Sequence, residues 1–190
     1  AAQKLLGEHD FLLPRYYDYQ AMLEHPLPGG ASISARVLGS GDRIRLRRDG
    51  EPAFDFRSDW HRADVVYRRR SGPWRLMVSP AFRYEIGERN VPPQASEQHR
   101  RDFVTSFRAE AVRDLSQRFM LVFGTDLQVD AFSARTILPA DSGVPGETMA
   151  QEATGTETWV GTYATAHLRL GSLLLTPGVR ASGFVVGSAT

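Results

Sequence analysis

A period of two runs with one short break through residues 100–132, and it constrains the fold more than any other feature of the sequence. Apolar or small side chains alternate with polar ones in both arms, at Phe103, Thr105, Phe107, Ala109 and Ala111, and again at Phe119, Leu121, Phe123, Thr125, Leu127 and Val129. Such alternation over about ten residues indicates a β-strand with one apolar face. Residues 108–119 have a composition that also suits a helix, but the alternation enters this stretch from both sides. The segment therefore predicts two long antiparallel strands joined by a tight turn near 114–117.

The same pattern recurs along the chain, and it predicts further strands near 15–25, 31–42, 61–70, 74–87, 156–170 and 173–187. Tight turns containing Gly or Pro are predicted near 27–30, 71–73 and 171–172. Long polar connections are predicted near 40–58, 88–99 and 137–156, so that short and long connections alternate. Pro80 and Pro177 lie inside strand patterns and predict bulges or kinks. We expect an all-β fold, an antiparallel up-and-down meander of about eight long strands, in a single domain spanning residues 1–190.

Composition and motifs exclude several classes of function. The net charge is +1 with 24% charged residues, which argues against a nucleic-acid partner. The chain has no cysteine, so thiol nucleophiles and Cys-ligated metals are excluded. Nucleotide-binding, zinc-protease, nucleophile-elbow and EF-hand motifs are missing, and no two histidines have metal-ligand spacing among His9, His25, His61, His99 and His167. We therefore predict that the protein is not an enzyme, with no catalytic, cofactor or metal site, and we assign no ligand-binding residue.

The apolar face of these strands contacts either a protein core or lipid. Strands of soluble proteins are usually about five or six residues long, whereas strands that cross a membrane need about nine to eleven, as the arms here have. Short turns alternating with long loops are typical of outer-membrane barrels. Such barrels also place aromatic side chains near strand ends, where this sequence has Tyr16, Tyr17, Tyr19, Trp60, Trp74, Tyr84 and Trp159. These features favour part of a transmembrane β-barrel.

The polar face carries charges of both signs. In a barrel the arginines predicted to face the lumen, where they would attract anionic ligands or pair with acids, are Arg62, Arg68, Arg83, Arg108 and Arg180. The acidic partners predicted for them across strands are Asp64, Glu85, Glu110 and Asp126. The run of arginines at 68–70 borders a tight turn and is expected at lipid headgroups or in the periplasm. Phe54 and Phe56 are predicted in a long loop, where they contact either a ligand or their own loop.

Two stretches of the chain resemble TonB-dependent outer-membrane receptors. Residues 11–42 contain PRYYDYQ, the turn LPGG and a strand ending in GS, and residues 157–182 contain GTYA followed by LTPGVR. The middle of the chain is similar to these receptors by pattern only. The resemblance implies a wall segment of a 22-stranded barrel that is filled by an N-terminal plug, in the outer membrane of a Gram-negative cell. It further implies import of scarce small molecules such as iron–siderophore chelates, with energy from the TonB complex acting through the plug.

The sequence has no plug, TonB box, signal peptide or terminal aromatic residue, so we expect an internal fragment of the barrel domain. Two alternatives stay open. One is a complete eight-stranded outer-membrane barrel with a structural or adhesive role. The other is a soluble lipocalin-like carrier whose apolar face is turned inward. Pairing of the first strand with the last distinguishes a complete small barrel from a barrel fragment. The soluble carrier is distinguished from both by which face of its strands contacts water.

Overall fold

Nine antiparallel strands form one sheet in the computed structural model, which describes residues 14–48, 51–92, 96–140 and 147–189. The strands are β1 (Arg15–Leu27), β2 (Ala31–Arg48), β3 (Glu51–Ser71), β4 (Trp74–Val91), β5 (Ser96–Ser116), β6 (Phe119–Pro139), β7 (Thr148–Leu170), β8 (Leu173–Leu175) and β9 (Gly178–Ala189). Each strand pairs with the next from β1 to β8, and β9 continues beyond β8 along the same side of β7. The predicted all-β up-and-down meander is confirmed.

Tight turns join the strands close to the predicted positions. Gly30 and Gly72 have φ angles of 73° and 56°, in the left-handed region that glycine adopts without the steric cost of a Cβ atom. The third turn lies at 117–118 rather than 114–117, because β5 continues to Ser116. Residues 108–116, whose composition also suited a helix, therefore belong to a strand. In the described part of the chain, no helix is long and apolar enough to cross a membrane.

The predicted long connections are wrong. β2 continues to Arg48 and β3 begins at Glu51, so most of residues 40–58 are paired strand. The other two regions are also shortened, since β4 and β5 are separated by 92–95 and β6 and β7 by 140–147. Near the ends of β2 and β3 the period of two continues with the faces exchanged, because apolar side chains here lie on the same face as Asp64: Ile44, Leu46, Phe54 and Phe56. Near the facing ends of β4 and β5, polar side chains lie on both faces while the backbone pairing continues. The sheet therefore extends well beyond its apolar part.

Two prolines interrupt the pairing, but the bulge or kink predicted at Pro80 does not shift the register. Pairing of β3 with β4 is interrupted opposite Pro80, between the pair Asp64 and Ala81 and the pair Tyr67 and Val78, and resumes in the same register, while Pro80 remains paired with β5. Pro177 separates β8 from β9, and its carbonyl oxygen accepts a hydrogen bond from a backbone N–H of β7 at 2.9 Å. Because proline has no N–H, it removes a donor from one side of the strand.

The two outer strands do not pair with each other. Within the described residues β1 pairs only with β2, and β9 pairs only with β7. Nearly every side chain of β1 is exposed. As far as the described residues go, the sheet is therefore open, with a free edge on each side.

Candidate functional surfaces

One face of the sheet carries a continuous apolar band. Directly paired residues of neighbouring strands lie on the same face, so the register fixes which side chains are side by side. One such row crosses the sheet from β3 to β9 through Ala63, Phe82, Thr105, Val129, Thr158 and Val185. We call the face that carries this row the apolar face and the opposite one the polar face. The alternation predicted for residues 100–132 is confirmed, because the apolar members of both arms share the apolar face.

Charged or aromatic side chains mark the limits of the apolar band. On the apolar face of β5 the sequence runs from Arg101 through residues 103–111 to Arg113. These nine residues span roughly 26 Å along the strand at about 3.3 Å per residue. For a strand tilted by roughly 40°, the band is about 20 Å tall. On β4 the band covers residues 76–86, between Trp74 and Glu88.

The apolar face is more exposed than the polar face. On β5, Phe103 and Phe107 are 47% and 38% exposed, whereas Asp102 and Val104 on the polar face are 7% and 4% exposed. The buried hydrophobic residues of the described chain all lie on the polar face: Val66, Ala81 and Val104. Since the described strands form a single layer, only neighbours in the same sheet cover these side chains. The sheet therefore curves toward its polar face.

The buried carboxylate of Asp64 forms ion pairs with two arginines on the polar face. Its side chain is 1% exposed, and its carboxylate accepts a hydrogen bond from Nε of Arg36 on β2 at 2.8 Å. Arg36 and Asp64 are direct cross-strand partners. Nε of Arg62, two residues earlier on β3, lies 3.4 Å from the second carboxylate oxygen. Asp64 was predicted to pair with an arginine across strands, and it does so with Arg36, which was not among the predicted arginines because this partner depends on the register. Arg62 contacts Asp64 within β3.

A second network links β5, β6, β7 and β9 on the polar face. Tyr163 donates its hydroxyl hydrogen to Glu110 Oε2 at 2.6 Å and accepts a hydrogen bond from Arg108 Nη2 at 3.2 Å. Arg108 also lies 3.3 Å from Glu110 and 3.7 Å from Asp126. Asp126 accepts a further hydrogen bond from Arg180 Nη2 at 3.2 Å. Charges of alternating sign thus connect four strands across the sheet, and Tyr163 was missing from the sequence prediction.

Gly124 provides the space for this network. It is the direct partner of both Glu110 on β5 and Tyr163 on β7. A Cβ atom at Gly124 would collide with the Tyr163 ring, which lies over the glycine backbone and reaches across β6. A glycine inside a strand does mark the close approach of another group. Only the register, however, identifies that group as Tyr163.

Two tyrosines of β1 lie over glycines of β2 on the apolar face in the same way. The rings of Tyr17 and Tyr19 cover Gly41 and Gly39, where a Cβ atom would collide with them. The Tyr17 hydroxyl donates to Asp59 Oδ1 at 2.9 Å, and the Tyr19 hydroxyl lies 2.8 Å from a ring nitrogen of the histidine at 61. These contacts link β1 to β3 across β2, at the end of the apolar band that lies away from the tight turns.

The arginines predicted for one face do share the polar face: Arg62, Arg68, Arg83, Arg108 and Arg180. Arg83 lies 3.7 Å from Glu85 on the same strand, whereas the predicted ion pairs were between strands. Arg68 forms no ion pair within the described residues. The run 68–70 does not act as one cluster, because adjacent strand residues point to opposite faces. Arg69 lies on the apolar face, and Arg68 and Arg70 lie on the polar face.

The predicted aromatic girdle is partly wrong. Tyr17, Tyr19, Trp74 and Tyr84 lie on the apolar face, whereas the register places Tyr16, Trp60 and Trp159 on the polar face. The ring of Trp159 packs against the guanidinium carbon of Arg180, 4.9 Å from the ring centroid. Proximity to a strand end does not fix the face of a side chain, since that depends on odd or even position in the register.

The predicted loop position of Phe54 and Phe56 is also wrong, because both residues belong to β3. The guanidinium carbon of Arg89 lies 5.9 Å from the centre of the Phe54 ring. Both side chains lie on the polar face, so the period of two continues here with its apolar residues on the face opposite to the apolar band.

Beyond the apolar band, the apolar face continues into a charged region near the longer connections. Asp55 accepts hydrogen bonds from Arg43 Nη2 at 3.1 Å and Arg45 Nε at 2.9 Å. Partial burial raises the pKa of Asp55, but the hydrogen bonds from these two arginines outweigh it, so the net pKa lies below its ordinary value. Glu88 lies 3.2 Å from His99 Nδ1. The described residues contain no group of three or more His, Asp or Glu side chains arranged to hold a metal ion.

No protein-family model, curated protein or solved structure matches this chain.

Proposed function

We propose that this chain is a segment of an outer-membrane β-barrel wall, with its apolar face in lipid and its polar face toward the lumen. The observation that carries the proposal is the exposed apolar band, bounded by charge on β5 at Arg101 and Arg113. Its height of about 20 Å approaches the apolar band of roughly 25 Å in outer-membrane barrels. A polar face that is less exposed than the apolar face is the reverse of the arrangement in a soluble protein.

The free edges of the sheet support a segment of a larger barrel. A closed eight-stranded barrel requires its first and last strands to pair. In the described residues β1 and β9 each have one unpaired side, and unpaired edges of long strands are aggregation-prone. Further strands on both sides would satisfy these backbone groups.

The sequence resemblance extends this proposal to a TonB-dependent receptor. The chain would then contribute to import of a scarce small molecule such as a metal chelate, without catalysing a reaction. The TonB complex would supply energy through a plug domain. The polar face would line the transport path with arginines that form ion pairs, as Arg108 does with Glu110 and Asp126.

Single-cysteine probes at positions 107 and 108 test the proposed orientation, and the cysteine-free sequence makes the labelling specific. Each variant, Phe107→Cys or Arg108→Cys, is labelled with a fluorophore in lipid vesicles. The fluorescence is then measured with a lipid-soluble and a water-soluble quencher. We expect the lipid-soluble quencher to act on position 107 and the water-soluble one on position 108, because these neighbours lie on opposite faces.

A chain that remains dispersed without detergent, with position 107 shielded from both quenchers, would contradict a membrane wall. That result would favour a soluble carrier with its apolar face turned inward. Backbone pairing of β1 with β9, measured by cross-linking between cysteines on these strands, would instead favour a complete small barrel.

A further inference from the structure

A cleft of about 660 Å³ lies on the polar face where the strands leave their tight turns, and it crosses the sheet from β2 to β6. Its volume is within the range of roughly 300–1,000 Å³ that small-molecule sites occupy. Four arginines on β3 and β4 line it, Arg68, Arg69, Arg70 and Arg75, and all of these except Arg69 lie on the polar face. The β4 to β6 side is lined by Met77, Val112, Met120 and Val122. One half of the cleft is therefore cationic and the other half apolar.

The arginines of the cleft are arranged at a cost in stability. Arg70 and Arg75 are direct cross-strand partners, and like charges directly opposite each other are destabilising. Arg75 is 3.0 Å from Asp114, whereas neither Arg68 nor Arg70 has an acidic partner within the described residues. Glu110 also lines the cleft, but Tyr163 and Arg108 already bind its carboxylate. The cleft therefore retains uncompensated positive charge.

We propose that this cleft binds an amphipathic organic anion, with its acidic group held by Arg68 and Arg70 and its apolar part against Met77, Val112 and Val122. Guanidinium groups bind carboxylate, sulfonate and phosphate through paired N–H donors. An anion between Arg70 and Arg75 relieves the repulsion of the two like charges. The apolar side selects against small inorganic anions, which gain nothing from contact with valine and methionine side chains.

The test uses the full chain folded in a nonionic detergent, with trifluoromethylbenzoate as the probe and fluorine NMR as the readout. We expect saturable binding of this probe, and at least about tenfold weaker binding of the uncharged trifluoromethylbenzyl alcohol and of inorganic phosphate. In the double variant Arg68→Gln/Arg70→Gln, binding of the benzoate falls at least about tenfold, since two charge-assisted contacts are removed. The control Arg113→Gln removes one arginine at the same end of the sheet, on the apolar face, and leaves binding unchanged.

Several results would overturn the proposal. These are equal binding of the benzoate and the alcohol, equal binding of phosphate, no saturation above empty micelles, or full binding in the double variant. If the double variant does not fold, by its circular dichroism spectrum, the single variant Arg68→Gln and the comparison of the three probes on the unsubstituted chain decide the question. The site does not depend on membrane insertion, so this experiment can succeed or fail independently of the quenching experiment.

Discussion

The hydroxyl of Tyr163 on β7 lies 2.6 Å from Oε2 of Glu110 on β5, two strands away, because Gly124 on the intervening strand has no side chain. Neither residue is a direct pairing partner of the other. The contact exists because an aromatic ring can lie flat over a glycine of β6 and deliver its polar end to the next strand. It joins three strands in a single layer where no second sheet contributes packing.

Substitution of Gly124 by valine tests this arrangement. We expect Gly124→Val to lower the free energy of unfolding by about 1–3 kcal/mol, because the new side chain displaces the Tyr163 ring from the sheet. Gly87→Val is the matched control, since Gly87 also lies inside a strand on the polar face and has open space around a Cβ atom. Urea unfolding followed by tryptophan fluorescence measures both. Equal losses for the two variants would mean that the effect comes from the backbone and not from the ring.

Replacement of Asp64 tests the buried ion-pair cluster. We expect Asp64→Ala to cost about 1–3 kcal/mol, since its 1%-exposed carboxylate accepts charged hydrogen bonds that would be lost. The partner arginines are about half exposed and can regain water, which keeps the loss below that of a fully buried pair. The control Glu85→Ala removes an exposed partner 3.7 Å from Arg83, and we expect a loss below about 1 kcal/mol. The same unfolding measurement compares them, and a larger loss at Glu85 would contradict the assigned burial.

Two adjacent hydroxyl residues on β5 test the lipid contact that we propose. Thr105 lies on the apolar face and Ser106 on the polar face. We expect Thr105→Arg to destabilise the membrane-inserted protein by about 2–4 kcal/mol, the cost of a lipid-facing arginine near the bilayer centre. Ser106→Arg adds the same charge on the polar face and is expected to cost less than about 1 kcal/mol. Unfolding by guanidinium in lipid vesicles gives both values, and the reverse order would place the polar face in lipid.

The ionisation of Asp55 tests the charged region beyond the band. The hydrogen bonds from Arg43 and Arg45 outweigh burial and hold the pKa of Asp55 below its ordinary value of 3.8. The stabilisation from these contacts is therefore fully present above pH 3.8 and is lost as the pH falls through the lower, folded-state pKa. In the variant Arg43→Gln/Arg45→Gln only burial remains, so we expect the pKa of Asp55 to rise above that of the unsubstituted protein. Carbon NMR of the carboxyl group across an acid titration measures the shift, and an unchanged midpoint would contradict the assigned partners.

Much of the fold is predictable from the sequence because of contrast between alternate residues. On β5 the change from Asp102 to Phe103 and from Phe107 to Arg108 marks two faces, and this local signal is enough to identify a strand. The turns at Gly30 and Gly72 are also local, since they depend on backbone angles that glycine adopts most readily. Residues 40–58 keep an alternation, with Phe54 and Phe56 on the polar face, but their many charged and glycine residues led to the prediction of a long loop.

The sequence by itself determined that the chain is a set of long strands with an apolar and a polar face. Only the tertiary structure decided which residues of different strands meet, as Arg36 meets Asp64 and Tyr163 meets Glu110. It also decided that the polar face lies on the inside of the curve and that Trp60 and Trp159 belong to it. The physical reason is the sequence distance between the residues involved. The alternation is a property of neighbours in the chain, whereas register and curvature depend on pairing between strands that are distant in sequence.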